Sequence, residues 1–197
     1  MSRTGPSFGL LVGLVGFAFA GLVSLSLASL QPPGPELPTF EHLGMDFKLE
    51  STQDYDSLSS AQGKVVLLSF GFTSCHDICP MMMQKFRRVY EELDKTGQGD
   101  QVVMFFVTLD PVRDTLDAMV EYFAGFDSRV VGLRGSMEQI EELQASLAVA
   151  SQAIAGSDQI SHSDRIFLFD TQGTLRAMPS LTDAIEDVVQ MVGVLSR

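Results

Sequence analysis

The sequence predicts an α/β fold, helices packed on a central mixed sheet, preceded by one N-terminal transmembrane helix. Three observations carry this reading. Apolar runs of strand length alternate three times with stretches whose apolar residues recur at helical spacing. A hairpin signal and one more amphipathic stretch follow them. The first 30 residues, finally, contain an uncharged run long enough to cross a bilayer.

That run comes first. Phe8 to Leu30 is 23 residues without a charge, and after Arg3 the next charged residue is Glu36. At about 1.5 Å per residue this is enough helix for about 30 Å of hydrocarbon. A cleaved signal peptide has an apolar region of only about 7 to 15 residues and a small-residue cleavage site, and Ala28 to Leu30 matches such a site poorly. The expected layout is therefore a cytoplasmic N-terminus (1–7), an anchor (8–30), a Pro-rich spacer (31–38) and a single domain (39–197). With Arg3 held inside, the domain lies across the membrane: in the periplasm for a bacterial inner membrane, or in the equivalent mitochondrial inner-membrane topology. Lys plus Arg number 13 against 25 Asp plus Glu, a formal charge of −12. That balance excludes a phosphate-backbone partner, so no nucleic acid is expected.

Within the domain, Val65 to Phe70 is a β-rich run, and Met82, Phe86, Val89, Tyr90 and Leu93 mark the helix after it. Val102 to Val107 is continuously apolar, as in a strand covered on both faces. Leu116, Met119, Val120 and Phe123 make the next helical stripe, with Asp114 or Thr115 as its cap. Val130 to Leu133 is a short strand, Ser136 with Gln139 resembles a capping box, and Ile140, Leu143 and Leu147 carry that helix. Arg165 to Asp170 and Thr174 to Met178 flank a hairpin turn at Thr171-Gln172-Gly173, and Ile185, Val188, Val189 and Val192 form the closing helix. Parallel units, a hairpin and a last helix describe a thioredoxin-like sandwich.

Both cysteines stand in TSCHDICP, Thr73 to Pro80, between the first strand and its helix. Pro80 suits the first helical position, where its missing N–H is no loss, and this places Cys79 at or beside the N-cap. Both sulfurs then face unsatisfied N–H groups and the positive end of the helix dipole, which favours thiolate. Thiolates attack disulfides or bind metal. A disulfide closing so short a loop removes little unfolded-state entropy, so a purely structural staple is the weakest of the three readings. Three intervening residues, in place of the two of the common redox motif, leave the sulfurs freer to sit around an ion. A third ligand is available in His162, just before the strand that starts at Arg165, on the side of the sheet that meets the cysteine loop.

Lys64 to Cys75, the CxxxCP motif, Thr108 to Thr115 (TLDPVRDT), Asp127 to Gly135 (DSRVVGLRG) and His162-Ser163 resemble, in order, the motifs of the Sco/SenC family. That family is thioredoxin-like and handles copper during assembly of the dinuclear copper centre of cytochrome c oxidase. The resemblance implies metal ligands at Cys75, Cys79 and His162. It also implies a copper-site subunit of the oxidase as partner, and it admits other periplasmic copper carriers or thiol reductants. Two thiolates and an imidazole suit Cu(I), and Cu(II) if a fourth ligand joins; structural zinc wants four protein ligands.

Two residues depart from the family pattern: His76 stands where proline follows the first cysteine, and Ser161 stands where aspartate precedes the histidine. The first adds an accessory imidazole or only a solvated side chain; the second removes a carboxylate that would orient His162. Asp77 matches the family but is equally a charge near a helix start. Of Met81-Met82-Met83, Met82 belongs to the core stripe, and only Met81 is placed to act as an accessory. Two functions follow: a copper chaperone, or a thiol–disulfide reductase in which Cys75 attacks and Cys79 resolves, keeping the oxidase copper-site cysteines reduced.

Overall fold

The computed structural model describes residues 37–40 and 42–197, so the predicted anchor lies outside the described residues. Among those described, no helix is long and apolar enough to cross a membrane.

Six strands form one mixed sheet: β1 (Glu50–Ser51), β2 (Val65–Gly71), β3 (Val102–Thr108), β4 (Val131–Arg134), β7 (Phe167–Phe169) and β8 (Leu175–Ala177), in the order β1-β4-β3-β2-β7-β8. β2, β3 and β4 are parallel, with Val65 opposite Val102 and Phe105 opposite Val131; β1, β7 and β8 pair antiparallel at the edges. Helices α1 (Ile78–Lys95), α2 (Leu116–Ala124), α3 (Met137–Ser146) and α4 (Ile185–Leu195) cover it.

All seven residues of β2 and of β3 are buried, because the sheet is covered on both faces. Val65, Leu67, Met104 and Phe106 pack with α1, α2 and α4 on one side. Val66, Leu68, Phe70, Phe105 and Val107 pack with Ile140 and Leu143 of α3 on the other. Ser136 and Gln139 close a reciprocal capping box on α3, as their spacing predicts. Thr115 caps α2 by accepting the Ala118 N–H, whereas Asp114 is drawn inward. Val120, predicted on the α2 stripe, is 52% exposed; α2 needs only Met119 and Phe123 to seal its contact with the sheet.

Three strands have no apolar signature in the sequence. β1 is two residues long, and β5 (Ser151–Ala153) with β6 (Ile160–His162) makes a separate antiparallel hairpin. The predicted strand from Arg165 to Asp170 is regular only over Phe167–Phe169, beyond a bridge between Arg165 and Ser180. The last residues of the predicted spacer are docked: Arg176 donates to the carbonyls of Leu37 at 2.8 Å and Pro38 at 2.9 Å.

Candidate metal centre

The parallel register of β2 and β3 brings Gly71 level with Thr108, so both chains leave the sheet at one end, where α1 and α2 begin. Asp114 ties these exits together. Its carboxylate is fully buried and accepts the Thr73 N–H at 3.0 Å, the Thr73 hydroxyl at 2.6 Å and the Thr108 hydroxyl at 2.6 Å. The cysteine loop is therefore pinned two residues before Cys75. Sequence reasoning missed this role, although Thr108 and Asp114 both lie in the TLDPVRDT motif.

α1 begins two residues earlier than Pro80 suggested: Asp77 is the N-cap, Cys79 stands at the second helical position and Pro80 at the third. Proline is still tolerated there, because N–H groups of the first turn have no partner within the helix. The Cys79 N–H points to Cys75 Sγ at 3.5 Å, so Cys75 is the sulfur that receives a helix-terminal N–H. Cys79 corrects the expectation of two activated thiols. It is 1% exposed, and burial pushes its pKa well up; the Phe72 backbone works against that shift and the neighbouring Cys75 adds to it. Desolvation favours the neutral thiol more than the helix terminus favours the thiolate. Both cysteines are free, Cys75 half-buried and Cys79 buried.

Gly71 leaves room for Cys79. A Cβ there would stand 2.6 Å from two Phe106 ring atoms and 2.9 Å from Cys79 Sγ. No side chain fits between them.

His162, on β6, reaches the same place from 83 residues away, its Nε2 3.8 Å from Cys79 Sγ. Its Nδ1 is 2.8 Å from the Ser163 carbonyl, which can only accept, so Nδ1 carries the proton and neutral Nε2 turns its lone pair to the sulfur. Burial lowers the His162 pKa, outweighing the Ser163 carbonyl and Asp164, and so favours the neutral ring. The Ser163 carbonyl thus orients the imidazole. The aspartate expected at position 161 is not needed for that, and Ser161 is exposed. Phe72 packs edge-on against the imidazole at 6.1 Å.

The β5–β6 hairpin is fastened to the site from outside. Gln159 donates to the Ser74 carbonyl at 3.1 Å, and Arg113, paired with Asp110, donates to the Asp158 carbonyl at 2.6 Å. His76 and Asp77 are exposed. Asp77 makes no side-chain cap bond. Met81 is exposed and lines a cleft with Lys85, Arg88 and Leu181, whereas Met82 and Met83 are core. Of the expected ligands, Cys79 and His162 are in contact and Cys75 adjoins through the Cys79 N–H. Among the described residues no three His, Cys, Asp or Glu side chains already form a cage for an ion. The donor types, two sulfurs and one imidazole with its other nitrogen anchored, are those of a soft-metal site.

Comparison with known proteins agrees with this chemistry. The sequence profile of the SCO1/SenC family matches residues 36–195. Protein SCO2 homolog, mitochondrial, of Bos taurus is 36% identical over 135 residues, 66% of this chain and 51% of that protein, so the chain spans about half the length of this relative. Two similar structures were solved with copper bound. ScoI of Bradyrhizobium japonicum matches at 26% identity and a TM-score of 0.69, covering 78% of this chain and 99% of that one. ScoI of Arabidopsis thaliana matches at 27% and 0.70, covering 77% and 97%. The mixed α/β fold is thus thioredoxin-like, and with a family profile that runs the length of the folded domain, this chain belongs to the SCO1/SenC family.

Proposed function

We propose that the chain is a membrane-anchored copper-binding protein, a metallochaperone, that captures Cu(I) at Cys75, Cys79 and His162 and delivers it to the dinuclear copper site of cytochrome c oxidase. One observation carries the reading: the imidazole Nε2 of His162 lies 3.8 Å from Cys79 Sγ, with its proton on the far nitrogen. A surface or core histidine has no need of that orientation, and a ligand does. Copper here is cargo. Capture releases up to two thiol protons, one from each cysteine, while His162 binds through a lone pair that is already free. Half-buried Cys75 is the side from which a partner's ligands exchange, and the hairpin that holds His162 stands apart from the main sheet. The apolar segment 8–30 anchors the domain on the far side of a bacterial inner membrane, or in the equivalent mitochondrial topology.

The exposure difference between the cysteines favours a second reading, a reductase. Cys75 as thiolate attacks a partner disulfide and expels one partner thiolate. Cys79 then attacks Cys75, frees the second partner thiol and leaves a Cys75–Cys79 disulfide. Two electrons pass to the partner, and a dithiol reductant must restore the pair.

His162→Ala separates the readings. In the full chain, reduced and in detergent, the variant is expected to lose Cu(I) affinity by at least about 10- to 100-fold, since even indirect partners of a ligand cost that much. Its disulfide-reductase rate should stay near that of the wild type. Wild-type Cu(I) affinity in this variant would refute the ligand set.

A further inference from the structure

Two neighbouring residues of one turn, Asp114 pointing inward and Arg113 outward, reach both segments that carry the expected ligands. The turn is held by its own backbone: the Arg113 and Asp114 N–H groups donate to the Asp110 carbonyl at 3.1 and 2.9 Å, and the Asp110 N–H donates to the Thr108 hydroxyl at 3.0 Å. Asp114 pins Thr73, two residues before Cys75. Arg113 holds the other segment. Its guanidinium pairs with Asp110, donates to the Asp158 carbonyl at 2.6 Å and lies 3.7 Å from the Asp158 carboxylate. Asp158, and Gln159 with its bond to the Ser74 carbonyl, stand immediately before β6, the strand of His162. Those ties matter because the hairpin has few others. Among the described residues β5 and β6 pair only with each other, β5 is exposed throughout, and the apolar foothold is the partly buried Ile160. A two-stranded hairpin alone is marginal in water. The approach of His162 to Cys79 therefore depends on what fastens the hairpin turn. A planar guanidinium suits the task, since separate N–H groups of one fork serve the Asp110 carboxylate and the Asp158 carbonyl at once.

We propose that Arg113 is a positioning residue of the metal centre: its guanidinium, oriented by Asp110, latches the Asp158 carbonyl and so holds the β5–β6 hairpin where His162 meets Cys79. The inference rests on His162 being a copper ligand. One turn then sets both parts of the ligand set, Asp114 through Thr73 for the cysteines and Arg113 through Asp158 for the histidine. Without the latch the hairpin opens more often, and a site whose binding-competent arrangement is populated for less of the time binds more weakly in proportion. A guanidinium has no lone pair to offer a metal, so the effect of Arg113 passes through His162.

Arg113→Met keeps the aliphatic stem and removes every donor. In the full chain, reduced and in detergent, Cu(I) affinity measured by competition with a chromogenic chelator at pH 7 should fall by about tenfold, the low end for a group that orients a metal ligand. In a His162→Ala background the same substitution should change affinity by less than about twofold, because the latch then positions nothing that binds. In the metal-free chain, amide hydrogen exchange at Ile154, whose N–H bonds to the Gln159 carbonyl at 3.0 Å across the hairpin turn, should be several-fold faster, with the amides of β2 and β3 unchanged. Unchanged exchange at Ile154, or a Cu(I) affinity within about twofold of wild type, would overturn the proposal. So would an equal loss of affinity in both backgrounds, which would make Arg113 a support of the whole site and not of His162. Failure of the underlying copper reading looks different: the wild type would bind no Cu(I) tightly, or His162→Ala would bind it as the wild type does, while exchange at Ile154 would still quicken in Arg113→Met.

Discussion

Asp114→Asn tests whether the cysteine loop is held by a buried carboxylate. Asp114 is itself fully buried and accepts three hydrogen bonds, one from a backbone N–H and two from hydroxyls. An asparagine of the same shape keeps its oxygen for the Thr73 N–H and Thr108 hydroxyl, now as neutral bonds, and the Thr73 hydroxyl must turn to accept from the amide. Neutral bonds are weaker than charged ones by about 1 kcal/mol each, giving a gross loss of about 3 kcal/mol. Relief of the carboxylate's desolvation offsets part of this, leaving about 2 kcal/mol net. Asp114→Ala also orphans the Thr73 N–H and opens a hole, and should cost about 4 kcal/mol. The chain has no tryptophan, so the assay is urea denaturation of the detergent-solubilised full chain followed by far-UV circular dichroism, with the slope checked for constancy. Thr73→Val completes a double-mutant cycle whose coupling with Asp114→Asn should reach about 1 kcal/mol. Copper affinity should fall with stability, because Thr73 sets the path of the loop into Cys75. A loss under about 0.5 kcal/mol for both substitutions, or a coupling near zero, would show that the loop is held by something else.

Gly71→Ala should destabilise the domain by about 1–3 kcal/mol, because its methyl would enter space held by Phe106 and Cys79 Sγ; the same shift in Cys79 should weaken copper binding, and a wild-type Tm with wild-type affinity would contradict the geometry. Burial lowers the His162 pKa below its unfolded value of about 6.5. The stabilising contribution is therefore complete above about pH 6.5 and is lost as pH falls through the folded pKa, where the unfolded chain binds the extra proton. Metal-free stability measured from pH 7 downward should show that slope in the wild type and a flatter one in His162→Gln, and equal slopes would remove His162 as the source.

Apolar patterning made β2, β3, β4 and the four helices legible, because burial on both faces of a parallel sheet writes long apolar runs and helical stripes into the chain. β1, β5 and β6 were not legible: Glu50-Ser51, Ser151-Gln152-Ala153 and Ile160-Ser161-His162 are short and mostly polar, and exist as strands only because a partner segment lies beside them. The same division runs through the site. TSCHDICP named both cysteines, but position at a helix start suggested two activated thiols. Depth under Phe72 and Phe106 makes them unequal, since desolvation depends on what the rest of the chain stacks above a sulfur. Ser161 stands where the family pattern has an orienting aspartate, and the Ser163 carbonyl fills that role.

By itself, then, the sequence determined the kinds of candidate ligand, the strand and helix between which the cysteines sit and the layers of the core, because residue chemistry and periodicity are local properties. Only the tertiary structure decided that His162 meets Cys79 and that Asp114 clamps the loop. Each of those depends on groups far apart in the chain brought within a few ångströms by the sheet, and no local pattern encodes such distances.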